Sequence, residues 1–217
     1  MIKRSQTAVG PAPDRAARKP ASLRRQDIVA AALELVRHHG VERVTTRSLA
    51  RAAGIAQATL FLHFGNKTQV LLAVIDAIQE ELQRGLGELD FAALCPTERL
   101  RTIAHFHLGF IERQPGIPRL LFSEELQSAN PALRERMQAL MAFFAAFLSR
   151  QIRDGQRRGE LRAEVDADSA ARLLIAAVQG LAFRWILSGQ GFVLRDQARL
   201  VSDTFLEGWR VGPPPSV

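Results

Sequence analysis

The chain has 217 residues, 47% of them apolar, which excludes a disordered polymer and allows a sizeable core in one or two domains. One cysteine, Cys95, excludes an internal disulfide and fits a reducing cytoplasm; the basic N-terminus lacks the apolar stretch of a signal peptide, and no run of about 18 apolar residues is expected to span a membrane. The net charge of +7 is uneven: residues 1–67 hold 12 Lys/Arg against 4 Asp/Glu, and the remainder 17 against 18, so the excess positive charge sits in the N-terminal third and calls for a polyanionic partner.

Residues 1–21, rich in Ala, Pro, Arg and Lys, have no apolar periodicity and read as a basic, disordered tail. Helical spacing predicts a first helix over 22–39. A second over 46–53 would be capped by the hydroxyl of Thr45 or Thr46 and ended by Gly54, and a third would cover 57–63. Ala50 and Ala53 offer little bulk, so the second and third helices can approach closely, with Ile55, Leu60 and Phe64 buried between them. That is the layout of a helix-turn-helix over 45–64. A long helix from Lys67 to about Gly87 carries Val70, Leu71, Val74, Ile75, Ile78 and Leu82 on one stripe; Asn66 with Gln69 resembles a capping box at its start. Pro96 opens a helix that reaches Arg113 and breaks at Gln114-Pro115-Gly116. A short helix is expected over 118–127, a long one from Pro131 to about Arg158, a connection over 159–165, and two last helices over 167–188 and 194–211. No stretch alternates like a strand, so the expected fold is all-α with about nine helices.

The run TTRSLARAAGIAQATLFLHFGNK, residues 45–67, resembles the DNA-binding signature of the TetR family of bacterial regulators. The preceding DIVAAALELVRHHGV resembles that family's first helix, and the likeness covers about residues 22–82. It implies an N-terminal DNA-binding domain over 22–82, a ligand-binding and dimerisation domain over 83–212, and the third helix lying in the major groove of double-stranded DNA. Position by position, Gln57 and Thr59 fall where base contacts are made. Glutamine suits the edge of adenine, the Thr59 methyl a thymine methyl, and Arg47 a guanine. Thr46, Ala58, Phe61 and His63 complete the expected DNA-facing set, with Arg24, Arg25 and Lys67 on the phosphates. A lysine in the first turn of a helix opposes the helix dipole, by about 0.3 kcal/mol or more, unless a phosphate sits there. Two residues depart from the family pattern: Phe61 stands where tyrosine is usual, and Ala56 where a capping serine is common.

For the remaining 130 or so residues the resemblance implies a small-molecule cavity and a homodimer paired through the last two helices. Phe106, His107, Phe110, Phe122, Met137, Met141, Phe144, Gln179 and Phe183 are the candidate lining, and their composition points to an apolar or aromatic effector. Arg184 could instead answer an acidic one. Ala170, Leu173, Leu174, Ala177, Gly180 and Leu181, facing Leu200, Val201, Phe205 and Trp209, are the candidate dimer surface. His105 and His107 lie about 200° apart around a helix and cannot share a metal. With no phosphate loop, HExxH or CxxC, no enzyme, metal or cofactor is expected. The reading is a ligand-responsive repressor. Its rival is a DNA-bound scaffold whose helical domain binds a protein: an open, polar-lined cavity would favour the sensor, and a filled cavity with an exposed apolar patch the scaffold.

Overall fold

The computed structural model describes residues 21–126 and 130–211, without the side chains of 21–23. Of the expected basic tail, residues 1–20 lie outside the described residues, Arg15, Arg18 and Lys19 among them, as does residue 212. Nine α-helices follow among the described residues: α1 (Ala21–His39), α2 (Thr46–Ala52), α3 (Gln57–His63), α4 (Lys67–Gly87), α5 (Pro96–Arg113), α6 (Gly116–Leu121), α7 (Pro131–Arg157), α8 (Ala167–Leu187) and α9 (Ala198–Trp209). The fold is all-α, and no strand occurs among these residues. Leu161 and Arg210 form an isolated antiparallel bridge, and the Arg162 N–H donates to the Trp209 carbonyl at 2.8 Å, which ties the α7–α8 connection to the end of α9.

Two elements differ from the sequence reading. Helix α6 begins and ends earlier than expected. Pro115 and Pro118 tolerate the first turn, where N–H groups have no intrahelical partner, and the Ser123 hydroxyl then donates to the Leu120 carbonyl at 2.7 Å, closing the chain on itself. Helix α9 begins later, behind a 3-10 turn at Arg195–Gln197, because the Leu194 N–H is taken by Glu112 of α5 at 2.7 Å. Helix α8 also corrects the expectation about membrane length: by length and composition alone it is apolar enough to cross one. One of its faces, with Ala170, Leu174, Val178, Ala182 and Trp185, is buried inside the protein.

A single buried cluster runs from Ile28 of α1 to Trp209 of α9. Helix α4 joins its two ends. Val70, Leu71 and Val74 are buried where α4 packs on α1, which in turn packs on α2 and α3, and Ile78, Leu82 and Leu86 continue among α5 and α7 without a break at residue 82. A second junction forms where α6 presses on α1: a Cβ on Gly116 would stand 3.3 Å from both the Arg37 nitrogen and the Leu33 carbonyl oxygen, so the two backbones are nearly in contact there.

Candidate nucleic-acid interface and internal cavity

Local chemistry fixes the geometry of α2 and α3. Thr45, rather than Thr46, is the N-cap: its hydroxyl accepts from the Ser48 N–H at 3.0 Å, and the Ser48 hydroxyl accepts from the Thr45 N–H at 2.8 Å. At the other end Gly54 adopts φ of 63°, so that the Ile55 N–H reaches back to the Ala50 carbonyl at 2.9 Å and the Gly54 N–H to Arg51 at 3.2 Å. Ala50 is buried against α3, whose own buried residue is Leu60, with Phe64 just beyond. Ala56, the residue before α3, makes no side-chain cap. The first N–H groups of α3 are thus left for solvent or an anion.

The outer face of α3 presents Gln57, Ala58, Phe61 and Leu62, all exposed; Thr59 and His63 are half-buried. Gln57 does not stand free, since its amide donates to the Thr46 hydroxyl at 2.8 Å, joining the starts of α2 and α3. Arg47 is exposed and makes no hydrogen bond or ion pair among the described residues. Arg25 is engaged. It donates to the His63 carbonyl at 2.6 Å and lies 4.0 Å over the Phe64 ring, so it holds α1 against the negative end of α3. Arg24 beside it is half-buried. Sequence reasoning missed Leu62, which at 76% is the most exposed large apolar side chain among the described residues. The signal was available: it follows Phe61 on the same helical face as Gln57 and Ala58.

Lys67 carries an unforeseen partner. Its ammonium donates to Glu125, in the segment between α6 and α7, at 2.8 Å, and both side chains are about three-quarters buried. Glu125 therefore relieves the unfavourable first-turn charge without a phosphate. Beside it Asn130 donates to the Thr68 hydroxyl at 2.9 Å, and Arg136 of α7 pairs with Asp76 of α4. The expected capping box of α4 forms in part: Asn66 accepts from the Gln69 N–H, while the Gln69 side chain reaches Gly65 instead of Asn66.

A cavity of about 40 Å³ lies between α4, α5, α6, α7 and α8. Of the candidate lining residues, the structure gathers His107, Phe110, Phe122, Met141, Phe144 and Gln179 around it. Phe106, Met137 and Phe183 lie outside the lining. Phe106 packs onto Gly85 of α4, Met137 is buried elsewhere in the core, and Phe183 points outward against Phe122 with ring centroids 4.9 Å apart. Ile78 and Leu82 of α4, which the sequence placed only in a general core, are part of the wall. Burial holds the His107 imidazole down to about 4, so it is neutral near pH 7, and its ring meets the edge of Phe144 at 4.4 Å. Arg184 does not line this space.

The candidate dimer residues divide between two faces. Val201 and Trp209 are buried within the chain, and so are Ala170 and Leu174. Leu173 (58% exposed), Leu187 (70%) and Leu200 (66%) form the outward apolar surface of α8 and α9, with Gly180 between them.

Residues 28–74 match the family model for bacterial regulatory proteins of the tetR family, and residues 96–200 match that for the tetracyclin repressor-like C-terminal domain. Among curated proteins, the nucleoid occlusion factor SlmA of Vibrio cholerae is 29% identical over 166 residues, 76% of this chain and 85% of that one. The SlmA of Escherichia coli O81 is 31% identical over 76% of this chain and 84% of its own. Among solved structures, the transcriptional regulator FadR from Bacillus subtilis, in complex with stearoyl-CoA, shares the fold with a TM-score of 0.71 and 19% identity, covering 84% of this chain and 98% of that one.

Proposed function

Because the chain belongs to the TetR family of bacterial regulatory proteins, we propose that it is a ligand-responsive transcriptional repressor: a cytoplasmic homodimer that holds a near-palindromic operator until a small, apolar or aromatic effector fills its internal cavity. The observation that carries this reading is the course of α4. One uninterrupted helix supplies Ile78 and Leu82 to the cavity wall and, earlier along its length, Val70, Leu71 and Val74 to the buried layer packed on α1, the helix that carries α2 and α3. A wall displaced by a ligand therefore moves the helix on which the DNA-reading motif rests. Helix α3 reads bases through Gln57, Ala58 and Thr59, with Arg47 and Thr46 from α2. Lys67, Arg24 and the free N–H groups of α3 meet phosphate. The effector lowers occupancy only by preferring the conformation with misplaced recognition helices; a hundredfold release requires a preference of about 2.7 kcal/mol. Selection of sites from random DNA with the purified protein is the test. A near-palindrome with half-site centres about 34–36 Å apart is expected. Recovery of random sequence would remove the reading.

A second reading has its own support. The cavity is small and lined almost wholly by hydrocarbon, and Leu173, Leu187 and Leu200 leave an apolar patch outside, the pattern that favours a DNA-bound scaffold whose helical domain takes a protein partner; the curated relatives, by name, are nucleoid occlusion factors. Ala182→Val, which narrows the cavity from α8, separates the two. As a sensor, the variant keeps operator affinity and loses release across a small-molecule screen. As a scaffold, neither property changes.

A further inference from the structure

The cavity wall is almost wholly hydrocarbon. Of fourteen lining side chains twelve are apolar and none is charged; the exceptions are His107 on α5 and Gln179 on α8. Neither has its hydrogen-bonding capacity fully used among the described residues. His107 makes no hydrogen bond among the described residues, only the ring contact with Phe144. Gln179 gives one amide hydrogen to the Met141 thioether at 3.1 Å, a weak acceptor, and its carbonyl oxygen has no partner among the described residues. His107 and Gln179 therefore offer a bound molecule the two polar groups of an otherwise hydrocarbon wall.

We propose that the cavity binds an uncharged molecule of about one ring with a single hydroxyl group, a phenol-like compound, whose hydroxyl is held by His107 and Gln179 while its ring lies among Phe110, Met141 and Phe144. This rests on the reading of the cavity as the effector site. A hydroxyl both donates and accepts, as do a neutral imidazole and an amide, so one small group can satisfy both side chains. A carboxylate finds no cation among the lining residues, and His107 resists becoming one, being neutral down to about pH 4. Size is limited as well. The cavity is about 40 Å³, against the roughly 150 Å³ of an engineered apolar cavity that holds benzene, so the wall must yield even to a single ring. Two side chains are placed to do so. Met141 is unbranched and adapts readily, and Phe122, at the end of α6, is 39% exposed and rests on the exposed ring of Phe183.

The test is calorimetry on the full-length, DNA-free protein with 4-ethylphenol, ethylbenzene and 4-ethylbenzoate, followed by operator release with the same three compounds. The phenol should bind at least tenfold more tightly than the hydrocarbon, and the benzoate more weakly than the phenol. His107→Phe and Gln179→Leu should each reduce the phenol to the level of ethylbenzene while leaving ethylbenzene binding intact, which also reports that the variants are folded. Equal binding of phenol and hydrocarbon, tightest binding by the benzoate, no binding by any of the three, or indifference of the phenol to both substitutions would each overturn the proposal. Binding with the expected pattern but without operator release would sink the sensor reading and leave this ligand class standing. Release by a compound that ignores His107 and Gln179 would do the reverse.

Discussion

Lys67 must exchange one anion for another before it can meet a DNA phosphate, because Glu125 already holds its ammonium at 2.8 Å. Glu125→Gln removes the competitor. Binding to operator and to random DNA should both tighten, by about three- to tenfold at low salt, and the slope of log affinity against log salt should steepen by about one contact. Lys67→Ala should flatten that slope and abolish the effect of Glu125→Gln. Weaker DNA binding by Glu125→Gln would instead make Glu125 a support that aims the lysine. His107 makes a second prediction at this scale. Its folded pKa of about 4 lies below the ordinary 6.5. As pH falls below 6.5 the unfolded chain therefore takes up a proton that the folded chain refuses, and stability is lost with acid. Urea titrations should show the protein losing about 2 kcal/mol more than His107→Phe between about pH 7 and pH 5. Parallel curves would place the imidazole in water.

At the scale of elements, the two junctions between the DNA-reading helices and the rest behave differently. Helix α4 is continuous, and one buried stripe from Val70 to Leu86 runs its length, which makes it a rigid transmitter. The α1–α6 contact depends on Gly116 lying against backbone atoms of Leu33 and Arg37 that cannot swing away. Gly116→Val should push the helices apart and cost about 1–3 kcal/mol of stability, read by thermal or urea unfolding. Operator affinity should fall beyond what the folded fraction explains, since α1 also braces the end of α3 through Arg25. Unchanged stability would show that α6 moves freely over α1.

For the whole molecule, the apolar surface left outward on α8 and α9 is where the proposed dimer would pair. Leu173, Leu187 and Leu200 are exposed in the single chain although each lies on a helix whose other face is deep in the core. The dimer proposed above would cover this surface. Leu200→Glu should leave the fold intact, convert the dimer to a monomer in sedimentation velocity at micromolar concentration, and abolish tight binding to a two-half-site operator while sparing weak binding to a half-site. A dimer that survives both Leu200→Glu and Leu173→Glu would move the interface elsewhere.

The sequence by itself determined most of the helices and the reading motif, though not the bounds of α6 and α9. The Thr45 cap, the glycine at 54 and the 3.6-residue stripes act over one or two turns, so α2, α3, α4 and α5 could be drawn from local chemistry, and the charge imbalance named the polyanion. Only the tertiary structure decided which side chains share a space. Periodicity tells that Phe106, Met137 and Phe144 are apolar faces of helices, but not that Phe144 borders the cavity while Phe106 covers Gly85 and Met137 is core. Nor does it reveal that Glu125 lies beside Lys67, 58 residues away, or which half of the α8 and α9 stripes faces outward. These are consequences of how helices cross, and crossing is set by long-range packing that no local spacing encodes.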